Sequence, residues 1–450
     1  MTTLVNDRPG PGRPRPYRFS QVVRRAVAGG DVVAAHLPGQ ALAVAALLVD
    51  AGAGRERAGR EGVATVVARA LEEGTTARDA AAYAVALESL GAELYTGVDW
   101  DSLRATVQAP AERLPAAVEL LAEAVRTPRL DPDDVARVRD DEVTKLRMER
   151  ATPGPRADAA LRAELFGTRR HGRPLHGDPD SVAGLLVDDV TGFHREWLSR
   201  PGVLLVAGDL DRLDLAELGG TAFAGAGAGS APYADPPVPD TGFAGARRIV
   251  LVDRPGSVQS TLRLGHPAPH WAHPDHVTMS LAGTVLGGSF TSRLNHLIRE
   301  VRGYTYGIRA DFGASREFGR FTASAAVHTA ATAPALVDTL AEITRTQAGG
   351  VTEAELAVAR SYRAGQLSVE MQTPGAIASA LATLVVHDLP DDYHTVLRTQ
   401  LLEASEAEVS RAAATHLRPE ELVLVVEGDA TAIHADLAAA GLGEVILHES

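Results

Sequence analysis

Arg299 and Tyr306, seven residues apart, are the two side chains of this sequence best spaced to do chemistry together. Arg299 falls at the end of an amphipathic helix whose apolar stripe is Leu294, Leu297, Ile298 and Val301. The helix follows the pair Gly287-Gly288, stops at Gly303 and gives way to a strand carrying Tyr304 and Tyr306. A short turn between helix and strand can bring guanidinium and phenol to one spot. Both donate from rigid groups, so together they can hold or polarise a carbonyl. Taken singly, Arg299 reads as a helix-end cation favoured by the macrodipole, and Tyr306 as a half-buried strand aromatic.

Other polar groupings carry less. His266, His270, His273 and His276 fall within eleven residues, a density that can bind zinc or nickel. Three interleaved prolines make the segment a loop with no shared helical face, so adventitious metal binding is the expectation. His171, His176 and Asp178 read as a surface loop after a helix ending near Phe166. Asp131, Asp133 and Asp134 read as a helix start, and Arg55, Arg57 and Arg60 as solvated cations.

The elements that must position these residues occur twice. Arg200-Pro201-Gly202 and a buried strand ending Gly208-Asp209 return as Arg418-Pro419 and a strand ending Gly428-Asp429. Glu149 to Gly154 returns as Glu370 to Gly375, and Asp134, Val135 and Arg139 return as Glu355, Leu356 and Arg360. A shared offset predicts two homologous halves. Each half reads as strands (32–37 and 42–49; 249–252 and 261–264), a helix pair, a second strand pair (92–96 and 103–107; 305–312 and 320–327), then long helices (114–126 and 132–150; 332–347 and 353–369). That order predicts an α+β fold of two domains, each a mainly antiparallel sheet covered by helices on one face. The expected organisation is a disordered tail over 1–16, a first domain over 17–218, a Gly/Pro-rich linker over 219–240 and a second domain over 241–450.

Composition bounds the function. A net charge of -14 argues against a general nucleic-acid binder. No cysteine is present, which excludes disulfides and thiolate metal sites. No run of eighteen apolar residues predicts a membrane span, and the polar, proline-rich N-terminus lacks a secretory h-region, so a cytoplasmic location is expected.

The duplicated unit, the glycine-rich linker and the Gly-Gly…Arg…Tyr segment together resemble the pitrilysin/insulinase family of zinc metallopeptidases, the inverted-motif zincins. The likeness runs from about residue 17 to 445 and is strongest to the two-domain bacterial type related to mitochondrial processing peptidase. That family carries a helix reading Gly-Leu-Ala-His-Leu-Leu-Glu-His-Met-Leu-Phe-Lys-Gly-Thr. Here Gly62, Ala64, Leu71, Gly74 and Thr75 match its frame. Its chemical positions are replaced: Thr65 and Arg69 stand for the two His ligands and Ala68 for the catalytic Glu. Counting back from Thr152-Pro153 puts Lys145 at the third ligand, with Glu142 one helical turn away. The resemblance implies no zinc in this chain and no general base. It implies a substrate-binding role for Arg299 and Tyr306, which in the family reach across a chamber between two subunits to the substrate backbone. The expectation is a non-catalytic subunit of a heterodimeric zinc endopeptidase. Zinc and base would sit on a homologous partner with an intact His-x-x-Glu-His motif, and the substrate would be a peptide. The alternatives are a peptide-binding or scaffold protein, and a homodimeric enzyme whose metal has moved to the 266–276 histidines.

Overall fold

The computed structural model describes residues 17–211, 213–227 and 247–448. The tail expected over 1–16 and most of the expected linker lie outside these residues. In chain order the first half contains β1 (Val22–Val27), β2 (Gly30–His36), β3 (Leu42–Val49), α1 (Val63–Ala70), α2 (Ala80–Ser89), β4 (Glu93–Val98), β5 (Leu103–Pro110), α3 (Leu114–Arg126), α4 (Pro132–Ala151), α5 (Pro155–Phe166), α6 (Pro179–Ala183), α7 (Val187–Phe193), β6 (Gly202–Gly208) and α8 (Leu215–Ala222). The second half contains β7 (Arg248–Asp253), β8 (Gln259–Ala268), α9 (His276–Gly283), β9 (Ile308–Ala314), β10 (Gly319–His328), α10 (Thr332–Gly349), α11 (Glu353–Glu370), α12 (Pro374–Val386), α13 (Tyr393–Glu403), α14 (Glu406–His416), β11 (Val423–Gly428), α15 (Ala430–Ala439) and β12 (Glu444–Leu447).

Two six-stranded sheets result, ordered β1-β2-β6-β3-β5-β4 and β12-β7-β11-β8-β10-β9. The repeat read in the sequence is visible in this order. In each sheet one inner pair is parallel (β2 with β6, β7 with β11), and the next three pairs are antiparallel. Only the outermost strand differs: β1 adds antiparallel to β2, whereas β12 adds parallel to β7.

The expected single covered face is half of the picture. Strands β3 and β6 are buried along nearly their whole length, with no alternation. A strand of that kind needs cover on both sides. One face of the first sheet packs on its own helices. The other packs on α12 of the second half, where Val44, Leu48, Val203 and Leu205 meet Ile377, Leu381 and Leu384. The exchange is mutual, because α5 of the first half covers Val250, Val252, Val423 and Val425 of the second sheet with Leu161, Leu165 and Phe166. Leu384 is fully buried in this contact. Leu384→Ala should therefore cost about 2–5 kcal/mol in urea denaturation, and both halves should unfold in one transition.

The linker also begins later than expected. Residues 219–222 belong to α8, whose Leu218, Gly219 and Ala222 are buried. Phe223 follows, packed on Gly30, where an added Cβ would lie 2.6 Å from its ring. Apolar cover for β1 and β2 outweighs the glycines' weak helix propensity. Among the described residues no single helix is long and apolar enough to cross a membrane.

The halves also meet through equivalent turns, β4–β5 and β9–β10. Asp101 accepts a hydrogen bond from the backbone N–H of Arg316 at 3.2 Å. Phe318 packs among Trp100, Phe166 and His171. Burial, helped by Asp99 and Glu317, raises the Asp101 carboxyl from 3.8 to about 7. The folded state therefore favours its protonated form. The associated stability is present below 3.8 and is lost as pH rises through 7. Asp101→Asn keeps the acceptor without the charge. In thermal melts it should stabilise the protein at pH 8, by up to about 4 kcal/mol, and leave it unchanged near pH 3.5.

Candidate functional site

Helix α1 starts at Gly62, whose φ of 93° and whose closeness to the His176 carbonyl (2.6 Å from an added Cβ) admit only glycine. The buried Glu56 carboxylate caps the helix, accepting from Gly62 N at 3.1 Å and Ala64 N at 2.9 Å, and pairs with Arg170. Burial still raises its pKa, against the opposing pull of Arg170. Glu61 pairs with Arg173. The segment expected as a surface loop is thus clamped onto α1 by two ion pairs. His171 is mostly buried, and burial lowers it to about 4. Of Arg55, Arg57 and Arg60, expected to be solvated, Arg57 is 79% exposed beside Glu196 and Arg60 43% exposed beside Asp189, whereas Arg55 is 23% exposed and pairs with Asp50.

Thr65, Ala68 and Arg69 share α1. Thr65 and Ala68 are buried, and Thr65 Oγ1 lies 3.1 Å from His176 Nδ1. The Arg69 side chain, 48% exposed, reaches the 0% exposed Glu142 of α4 at 3.3 Å. Lys145 approaches the same carboxylate from one helical turn on, at 3.0 Å. The cluster is one buried carboxylate held between two fixed cations. Catalytic zinc takes three protein ligands and an open position. Here the guanidinium occupies the carboxylate, and Thr65 offers only a hydroxyl already engaged with His176. These residues do not fit a catalytic zinc ion. The sequence reading placed His176 in a surface loop and missed its contact with Thr65, 111 residues away.

Among the described residues, metal-ligating atoms converge elsewhere. His273, Asp275 and His416 form one such group, and His36, Asp209 and Asp211 another. In the first, His416 Nε2 bonds Asp275 Oδ2 at 2.8 Å, and His273 Nδ1 takes the Asp275 N–H at 3.0 Å. The four histidines of 266–276 therefore separate. His266 belongs to β8, buried on Phe321, and His276 opens α9 against Trp271.

Arg299 lies on a helical turn wound more widely than an α-helix, Asn295–Val301. The Arg302 N–H bonds Leu297 O, five residues back. Such π turns are frequent at functional sites. The segment is held at three points. Gly287 approaches Ala310 so closely that an added Cβ would lie 2.5 Å away. Asn295, buried, bonds Ser289 O, Ser292 Oγ and both backbone groups of Ile308. Arg293 grips Glu355 with two 2.7 Å bonds, which lowers that carboxyl to about 2.

Tyr306 does not start a strand. It stands two residues ahead of β9, is 95% exposed and makes no hydrogen bond among the described residues. Arg299 stacks 3.6 Å over the Phe290 ring, donates to Phe290 O and pairs with Glu300. No hydrogen bond joins the two side chains. The Arg299 side chain is 15% exposed and Glu300 55%, so Arg299 is held mainly by the Phe290 ring and carbonyl, and the half-exposed ion pair adds about 1 kcal/mol or less.

Comparison with known proteins bears on both regions. Residues 31–178 match the family described as insulinase (peptidase family M16), and residues 185–362 match the peptidase M16 inactive domain. An uncharacterized zinc protease of Mycobacterium leprae is 28% identical over 379 residues, covering 83% of this chain and 84% of that protein. Cytochrome b-c1 complex subunit 1 of Bos taurus is 26% identical over 264 residues, covering 57% of this chain and 53% of that protein. The crystal structure of a peptidase M16 inactive domain from Pseudomonas fluorescens superposes with a TM-score of 0.82 at 24% identity, over 90% of this chain and 98% of that one.

Proposed function

Because the chain belongs to peptidase family M16, the insulinase family, we propose that it is the non-catalytic subunit of a cytoplasmic, heterodimeric zinc endopeptidase. A homologous partner with an intact His-x-x-Glu-His motif supplies zinc and general base. This chain supplies half of the chamber wall, and Arg299 and Tyr306 hydrogen-bond the peptide backbone near the scissile carbonyl. One observation carries the reading. The Arg69–Glu142–Lys145 cluster occupies the place where α1 and α4 would hold a metal, while Tyr306 stands free in solvent. To join it, Arg299 leaves Phe290 and Glu300, neighbours in its own segment. Partner and chain are expected to bury more than about 2,000 Å² in total, as obligate pairs do.

The test mixes the chain with a family member from the same source that carries an intact His-x-x-Glu-His motif and follows cleavage of a peptide library. The mixture should cleave and this chain alone should not. Cleavage by the chain alone, or none by a stable mixed dimer, overturns the reading. The likeness to a cytochrome b-c1 complex subunit favours a second reading, a scaffold or peptide-binding protein of the same fold. That reading predicts a stable complex or peptide binding with no contribution from Arg299 or Tyr306 to turnover.

A further inference from the structure

A half-open cavity of about 490 Å³ lies among α9, α11, α12 and α13, with Trp271 at its edge. Its size is that of a small-molecule site. Val277, Leu367, Met371, Ala380, Leu397 and Leu401 give it apolar walls. Arg363 of α11 is the cation in those walls. Its Nε is buried without a hydrogen-bond partner, and among the described residues no carboxylate pairs with it. Other arginines of this region are committed: Arg360 to Glu353 and the Ala404 carbonyl, Arg293 to Glu355. Buried polar groups in folded proteins are nearly always satisfied, so a group left over in a cavity calls for a ligand. The Trp271 indole N–H is buried and already faces the Tyr393 hydroxyl, so Arg363 is the donor left for a ligand. The neighbouring histidines bring no competing charge, because burial lowers His276 to about 4 and lowers His394 as well. Glu370, the acidic residue of the lining, is exposed at the end of α11.

The cavity therefore offers one fixed positive charge with an unused donor inside an apolar wall. We propose that it binds a small carboxylic acid with an apolar body, the carboxylate on Arg363 and the tail among Val277, Leu367, Leu397 and Leu401. A neutral lipid would leave the guanidinium unpaired. A free phosphate would satisfy the charge and leave the walls unfilled. An apolar acid does both, since a charge-assisted bond to a guanidinium is strong where water is thin.

The test uses calorimetry on the full chain with decanoate, decanol and inorganic phosphate. Decanoate should bind once per chain, with decanol and phosphate each at least about tenfold weaker. Arg363→Met should weaken decanoate about tenfold and leave decanol unchanged. Equal affinity for decanoate and decanol, tighter binding of phosphate than of decanoate, or no saturable binding of decanoate overturns the proposal. The comparison of acid with alcohol on the unaltered chain stands even if the variant fails to fold.

Discussion

The triple change Thr65→His, Ala68→Glu, Arg69→His, with Glu142 untouched, should turn α1 into a zinc-binding helix. Positions 65 and 69 lie one turn apart on one face of α1. Arg69 already directs that face at Glu142. Replacing Arg69 removes a fixed cation and releases one of the two ion pairs on the carboxylate. Two imidazoles and one carboxylate are then a sufficient set of ligands. The expected result is one zinc ion per chain, held at a dissociation constant of about 1 µM or below, equivalent to roughly 8 kcal/mol. Metal analysis after gel filtration and the zinc-dependent shift in melting temperature measure it. Adding Glu142→Ala should weaken binding at least about tenfold, and adding Lys145→Ala should strengthen it, because the ammonium competes for the same carboxylate. A triple variant whose affinity ignores Glu142 would show that another group, His176 foremost, completes the site.

Arg299→Ala should lower turnover of the mixed dimer about a hundredfold, the usual loss of one donor aimed at developing charge. Tyr306→Phe should act in the same direction. Neither change should alter assembly by gel filtration, and the stability of this chain should fall only slightly, because Tyr306 is 95% exposed and the Arg299 contacts are local, to Phe290 and Glu300. Arg299→Lys should rescue poorly, since an ammonium lacks the planar fork. Unchanged turnover in both Arg299→Ala and Tyr306→Phe would make the pair structural and favour the scaffold reading.

The two predictions rest on parts of the chain that were unequally legible. Strand β3 and helix α3 carry strong local patterns, and their observed limits, Leu42–Val49 and Leu114–Arg126, are those read from the sequence. The α+β class and the duplication followed from order and spacing alone. Where a residue's fate depended on distant partners, the pattern misled. Tyr304 and Tyr306 alternate like a strand, but Asn295 takes the backbone of Ile308 and the strand starts there. Along α4, a count of residues is blurred by one helical turn, and only burial separates Glu142 from Lys145. The uninterrupted apolar run of β3 fits burial on both faces, but the sequence reading expected cover on one face only, because nothing local names α12 as the second cover. The pairing of His176 left no signal, because its partner is a threonine on another element.

The mutual exchange of α5 and α12 also sets a clock on synthesis. When β6 leaves the ribosome, every strand of the first sheet exists, yet one face of it has no cover. The covering helix begins at Pro374, far beyond Gly208. At translation rates of 5–20 residues per second the wait is on the order of 10 s. For that time Val44, Leu48, Val203 and Leu205 face water or a chaperone, in a sheet otherwise ready to pair with its neighbours. Yield from the cell should therefore depend on holdase capacity and on the speed of decoding between the two halves. A chain cut short before residue 374 should be cleared rather than accumulate as a folded half.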